Sequence, residues 1–166
     1  TCFLIFTAGS QQEEKRRIWQ RAAFIMNLED RSKQNMRLVH VSDTHIRSLK
    51  YHKEYRQVFD KLYESIRKQK PDYIIHTGDI AHMKTEISPE FVSLCTELFD
   101  SLSDIAPTYI LLGNHDGNLK SLYRQDAITP IVNAINKPTL TLLKDAGPIP
   151  INGTDVVLHP LSVFDK

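Results

Sequence analysis

Three short clusters of polar residues have the types and the spacing of metal ligands. The first contains Asp43 and His45, the second is Asp79 directly after Gly78, and the third runs over 113–116 as Gly-Asn-His-Asp. Residues i and i+2 of an extended segment point the same way, so Asp43 and His45 can hold one ion together. Carboxylate, imidazole and amide oxygen suit manganese, iron or zinc better than calcium. The pattern therefore predicts a metal centre.

The elements that must position these clusters alternate along the chain. Short apolar stretches predict strands over 37–42, 72–77, 108–112, 139–143 and 155–161, with a GPIPING turn region before the last. Helical spacing of apolar residues predicts helices over 53–70, 88–101 and 121–134. Strands separated by helices favour right-handed βαβ units and a mostly parallel sheet. Because ligands bind at the carboxyl ends of such strands, the three clusters should share one edge of the sheet.

Other residues are predicted to be structural. Ser88 and Pro89 have the pattern of a helix cap followed by proline at the first helical position. Cys95 lies on the apolar face of that helix, which favours a core residue and not a reactive thiol. His40 and His76 fall inside strands, where hydrogen-bonded core histidines are more common than ligands.

Composition and charge limit the class of protein. Lys and Arg number 21 against 20 Asp and Glu, a net charge of +1, so no overall field marks a nucleic-acid binder, although a local patch would suffice. A cluster of Arg47, Lys50, Lys53 and Arg56 beside two tyrosines is either a contact for DNA phosphates or a solvated helix start. Two cysteines and no apolar run of about 20 residues predict a soluble cytoplasmic protein without a membrane partner.

We expect the domain to begin near Met36 and to include residues 36–166. Residues 1–35 form an upstream segment outside the core domain, and its stretch 13–31 has the pattern of an amphipathic helix. Such a helix can bind a membrane or a partner, but a solvated helix is the interpretation that we favour.

The three clusters, D-x-H, G-D and G-N-H-D, resemble the signature of the calcineurin-like metallophosphoesterase superfamily. The stretches VSDTHIR, GDIAH and APTYILLGNHDG are similar to those of SbcD-type nuclease subunits, as are the segments RQDA and LSVFDK. The resemblance implies an α/β fold, the metallophosphoesterase α/β/β/α sandwich. Residues 36–166 would supply its first half, βαβαβα followed by β.

The resemblance also implies roles for individual residues. Two divalent ions, most consistent with Mn²⁺, would activate a water molecule. Asp43 and His45 would bind the first ion, Asp79 would bridge both, and Asn114 would bind the second. The other implied site residues are His115 as proton donor or charge stabiliser, His82 as the histidine that handles the phosphodiester, and Asp116, which would either orient His115 or cap the next turn.

The function implied is that of the nuclease subunit of an SbcCD-type complex, which processes DNA double-strand ends with an SMC-like ABC ATPase and can form a homodimer. A phosphatase or cyclic-nucleotide phosphodiesterase of the same superfamily, or a scaffold without activity, is the alternative. The family uses further histidines from later motifs, whereas here only His159 follows Asp116. We therefore expect the domain to be incomplete at its C-terminus, and this stretch alone to be inactive if the missing ligands are essential.

Overall fold

The computed structural model describes residues 36–121, 123–144, 147–151, 154–161 and 163–164. The predicted upstream segment 1–35, with its helical pattern, lies outside the described residues. The described residues fall into two compact units. The first holds those from 36 to 144 together with 161, 163 and 164, and the second holds those from 147 to 160.

The first unit contains a sheet of four parallel strands. In spatial order they are β1 (Leu38–Val41), β2 (Tyr73–His76), β3 (Thr108–Ile110) and β4 (Leu140–Leu142). The connecting helices are α1 (His52–Gln69), α2 (Pro89–Ile105) and α3 (Thr129–Ile135). Right-handed crossovers between strands in sequential order place these helices on one face of the sheet. The predicted mixed α/β class with a parallel sheet is confirmed.

The core of this unit lies between the sheet and the helices. α1 buries Phe59, Tyr63 and Ile66 at helical spacing. The buried residues of α2 recur every three or four positions and are Phe91, Leu94, Cys95, Leu98, Phe99, Leu102 and Ser103. The Cys95 side chain is fully buried, and burial raises the pKa of its thiol well above the ordinary value. Its prediction as a core residue is confirmed.

The start of α2 follows the predicted capping pattern. Ser88 is extended, with φ −98° and ψ 161°, and its Oγ accepts a hydrogen bond of 3.1 Å from the backbone N–H of Phe91. The same hydroxyl donates to the carbonyl of Ser48 over 2.5 Å. Ser88 therefore satisfies one backbone donor of the first turn and also joins the helix to the loop after β1.

Replacing Ser88 with alanine is expected to lower the free energy of unfolding by about 1–2 kcal/mol, because the first turn loses its side-chain acceptor. Urea denaturation of the variant and the parent measures the difference. Ser93→Ala, at an exposed position of the same helix, is the matched control and should change stability by less than about 0.5 kcal/mol. Equal stabilities of Ser88→Ala and the parent would contradict the capping contact.

The third helix is shorter than predicted. The sequence favoured 121–134, whereas α3 covers only Thr129–Ile135. Asp126 explains the difference, because its Oδ1 accepts the backbone N–H groups of Ile128 at 2.9 Å and Thr129 at 2.6 Å. Such local side-chain bonds compete with helix formation, so the helix begins only after them, with Pro130 in its first turn.

The described residues of the second unit include a short antiparallel pair, β5 (Ile149–Pro150) and β6 (Val157–Leu158). β5 lies within the segment predicted as a turn region, and β6 is shorter than the predicted strand. Two-residue strands fall below the length at which alternation can be read from sequence. Proline at position 150 also argues against a strand by propensity, although it is tolerated at a sheet edge.

Candidate metal centre

The three polar clusters meet at the carboxyl end of the parallel sheet. One ligand atom from each of Asp43, His45 and Asp79 can be chosen so that all lie within 4.8 Å of one another. This set of two carboxylates and one imidazole has the spacing to hold a metal ion, and its donors suit a divalent first-row metal. The prediction that the loops after β1 and β2 share an edge is thereby confirmed.

The way in which Asp43 and His45 converge differs from the prediction. Neither residue is extended, because β1 ends at Val41 and the φ angles are 56° for Asp43 and 44° for His45. Asp79 is also left-handed, with φ 52°. This conformation costs non-glycine residues roughly 1–2 kcal/mol each, so surrounding contacts must hold it.

Those contacts are backbone hydrogen bonds that continue the β1–β2 pairing past the strand ends. The N–H of Asp43 donates to the Gly78 carbonyl at 3.1 Å, and that of His45 to the Asp79 carbonyl at 3.0 Å. Ile46 then donates to Ile80 at 2.7 Å. The two loops are therefore fixed to each other, and their side chains project to one side together.

His45 has the hydrogen-bonding pattern of a residue prepared for a metal. Its Nε2 lies 3.5 Å from Oδ1 of Asp43. Its Nδ1 is buried and has no hydrogen-bond partner among the described residues. The Ser42 hydroxyl, hydrogen-bonded to Asp43, holds the pKa of that carboxyl below its usual value, and His45 adds to this effect. The carboxylate beside Nε2 and the buried Nδ1 without a partner on the same ring both fit a divalent cation bound here.

Gly113 brings the loop after β3 against Asp79. The backbone N–H of His115 donates to Asp79 Oδ1 at 3.0 Å. A Cβ atom on Gly113 would lie 2.7 Å from Asp79 Cγ, which is closer than real side chains allow. A Cβ atom on Gly78, which has φ 97°, would lie 2.2 Å from the backbone nitrogen of Gly113, so the two loops approach each other at these glycines. Both glycines are thus required for the carboxylate to sit between the two loops.

The sequence predicts that Asp116 either orients His115 or caps the next turn, whereas its carboxylate contacts the loops after β2 and β3. Its carboxylate is fully buried, and Oδ1 accepts the N–H groups of Ile80 at 2.9 Å and Ala81 at 2.8 Å. Oδ2 accepts the N–H of Gly113 at 2.8 Å. Burial raises the pKa of this carboxyl to about 6, against the lowering effect of the three N–H bonds. Asp116 is therefore a positioning residue that joins the loops after β2 and β3.

Replacing Asp116 with alanine is expected to cost about 3 kcal/mol of unfolding free energy, since three buried N–H groups lose their acceptor. Urea denaturation measures the loss. Asp116→Asn keeps one acceptor oxygen and should fall between the parent and the alanine variant. Asp60→Ala, at an exposed position of α1, is the control and should be nearly neutral. A neutral result for Asp116→Ala would show that the carboxylate does not join the loops.

Two further histidines, His82 and His115, lie close to the group formed by Asp43, His45 and Asp79. The ring centroid of His115 lies 4.8 Å from that of His45, and the ring of His82 lies 6.0 Å from His45 and 6.5 Å from His115. His115 Nδ1 is 2.8 Å from the carbonyl oxygen of His82. Because a carbonyl only accepts, this nitrogen carries the proton and Nε2 is left for a ligand. Asn114 is exposed and lines a cavity together with both histidines.

The strand histidines differ from each other. His76 is fully buried, and burial lowers its pKa to about 4, so it is neutral. Its Nδ1 accepts the N–H of Gly78 at 3.2 Å, which confirms it as a hydrogen-bonded core residue that supports the glycine before Asp79. His40 bonds to Thr77 Oγ1 at 2.8 Å but is exposed. Its prediction as a core residue was wrong, because β1 lies at the end of the four-stranded sheet that the described residues form.

His159, the histidine that follows Asp116 in sequence, lies after β6 in the second unit. Within the ranges that the structure describes, every helix is too short or too polar to cross a membrane.

Similarity to known proteins agrees with this geometry. Residues 36–162 match the family model for calcineurin-like phosphoesterases, a range that includes all three loops of the site. The chain is 42% identical over 127 residues to the uncharacterized protein R555 of Acanthamoeba polyphaga mimivirus. That match covers 74% of this chain and 9% of the viral protein's length. Because the family model matches the range that contains the parallel sheet and all three loops of the site, the chain belongs to the calcineurin-like phosphoesterase family.

Proposed function

We propose that the protein is a Mn²⁺-dependent nuclease that hydrolyses phosphodiester bonds at DNA ends. Membership of the phosphoesterase family and the Asp43–His45–Asp79 group indicate metal-dependent phosphoester hydrolysis. The observation that supports nuclease activity is the position of His82, whose imidazole lies 6.0 Å from that of His45 and 6.5 Å from that of His115. A second imidazole beside the metal ligands can contact a phosphodiester, whose phosphate carries an organic substituent on two of its oxygens.

Different side chains would bind the two metal ions. Asp43, His45 and Asp79 would hold the first ion, with Asp79 shared by a second ion that Asn114 would also hold. When bound, two such ions activate water and stabilise the charge that develops on the phosphate. Mn²⁺ is proposed because mixed carboxylate and imidazole donors suit it.

His115 would protonate the leaving oxygen. Its Nδ1–H is held by the His82 carbonyl at 2.8 Å, which orients the ring. In the imidazolium form Nε2 carries the second proton and can donate it to the alkoxide that leaves. His82 would contact the non-bridging oxygens.

The proposed partners follow from the same assignment. We propose that the protein works with an SMC-like ABC ATPase that presents DNA ends, as in SbcCD-type complexes, in the cytoplasm and as a homodimer. Co-purification of the full-length protein with such an ATPase would support this assembly, and stimulation of cleavage by ATP would distinguish a functional partner from a bystander.

The test is cleavage of end-labelled linear duplex DNA by the full-length protein in Mn²⁺. We expect release of short products that stops in EDTA and returns when Mn²⁺ is restored in excess. p-Nitrophenyl phosphate and a cyclic nucleotide, assayed in parallel, identify the alternatives. Hydrolysis of either with intact DNA would replace the nuclease by a phosphatase or cyclic phosphodiesterase. A folded protein that hydrolyses none of these substrates, with or without the ATPase, would favour a scaffold.

A further inference from the structure

Two cavities next to the candidate metal centre share His82 and Met83 in their linings. The first has a volume of about 250 Å³, and its lining includes Asn114, His115 and Lys84. The second has a volume of about 210 Å³ and extends to Arg47 and Lys50. We call the surface that lines the two neighbouring cavities, from His115 to Lys50, the His82 groove.

The walls of the groove are fixed by hydrogen bonds between the loops after β1 and β2. The N–H of His82 donates to the Ile46 carbonyl at 3.0 Å, which continues the backbone pairing between the two loops. The Ser48 hydroxyl donates to the Glu86 carbonyl, and Ser88 Oγ donates to the Ser48 carbonyl at 2.5 Å. The groove is therefore formed in the free protein and requires little ordering when a ligand binds.

The lining is positive and partly apolar. Arg47, Lys50 and Lys84 line it against one carboxylate, Glu86, although the whole chain has a net charge of only +1. None of the three cations forms an ion pair with a carboxylate among the described residues. Leu49, also in the lining, is 76% exposed, and Tyr51, which follows the lining residue Lys50 in sequence, is 59% exposed. Cations beside exposed apolar and aromatic groups are the combination that binds single-stranded nucleic acid.

We propose that the His82 groove binds the nucleotides adjacent to the cut phosphodiester in a single polynucleotide strand. Arg47 and Lys50 contact its phosphates, while Leu49 and Tyr51 contact its bases. This inference rests on the proposed phosphodiesterase function and adds that the substrate is an extended polyanion. The exposed Leu49 and Tyr51 favour a single strand over a duplex, because the bases of a duplex are already paired and stacked on one another and cannot stack on these side chains.

The test compares a two-site variant with a matched control. Arg47→Gln/Lys50→Gln removes two positive charges from the far half of the groove, and Lys61→Gln/Lys68→Gln removes two from the exposed surface of α1. The probes are a fluorescent ten-nucleotide single-stranded DNA and bis(p-nitrophenyl) phosphate, a small phosphodiester. Binding of the oligonucleotide is followed by anisotropy in EDTA, and hydrolysis of both is measured in Mn²⁺.

We expect the groove variant to bind the oligonucleotide at least tenfold more weakly than the control. The dependence of log affinity on log salt should fall by about 1.4, the value for two phosphate contacts on a single strand. Hydrolysis of bis(p-nitrophenyl) phosphate should change much less than oligonucleotide binding, because this substrate carries a single phosphate and lacks the further phosphates that Arg47 and Lys50 contact.

The outcomes separate the inference from the function on which it rests. Equal oligonucleotide binding by the groove variant and the control would overturn the inference, whatever the activity. Equally tight binding of a blunt duplex, lost in the same variant, would overturn the single-strand assignment. If the oligonucleotide binds through the groove but neither substrate is hydrolysed, the strand-binding site stands and the phosphodiesterase function fails.

Discussion

Replacing Asp79 with asparagine is expected to reduce metal-dependent hydrolysis more than a hundredfold. The substitution is nearly isosteric, and the amide oxygen can still accept the N–H of His115, which lies 3.0 Å from Asp79 Oδ1. It removes the negative charge that is shared between the two proposed ions. Because loss of an outer partner of a metal ligand already costs about 10–100-fold, loss of the central carboxylate should exceed that range.

The measurement combines activity with metal binding in the full-length protein. Mn²⁺ affinity by titration calorimetry should fall for Asp79→Asn, while the free energy of unfolding without metal stays close to that of the parent. Asp60→Asn, on the exposed side of α1, makes the same chemical change away from the site and should alter neither quantity. Mn²⁺ binding and hydrolysis at parental levels in Asp79→Asn would remove Asp79 from the site.

Gly113→Ala is the second change with a large expected effect. The added methyl group would overlap the carboxylate and the backbone nitrogen of Asp79. Both loops are tied together by Asp116, so neither can move away without losing buried hydrogen bonds. We expect Mn²⁺ affinity to fall at least tenfold and stability to fall by about 3 kcal/mol or more, at the upper end of the cost of overpacking.

Gly147→Ala is the control for this substitution. A Cβ at position 147 meets no atom within 4 Å, so the change should be within about 0.5 kcal/mol of the parent. Urea denaturation gives the stabilities, and calorimetric titration gives the Mn²⁺ affinities. Should Gly113→Ala behave like Gly147→Ala in both measurements, the close approach of the two loops would be refuted.

Several features of this protein could be predicted from residue order alone. The alternation of strands and helices, the parallel sheet and the burial of Cys95 follow from apolar periodicity, which is a local property. The cap at Ser88 is equally local, since donor and acceptor are three residues apart. The edge of the sheet that carries Asp43, His45 and Asp79 also follows, because parallel strands bring their carboxyl ends together.

Other features were decided only by tertiary structure. The left-handed conformations of Asp43, His45 and Asp79 exist because two loops about 35 residues apart in sequence hold each other by hydrogen bonds. Asp116 joins loops in place of orienting a histidine because folding buries it beside three free N–H groups. A residue's type and spacing identify the chemistry that it can perform, but the direction in which it points depends on backbone partners distant in sequence.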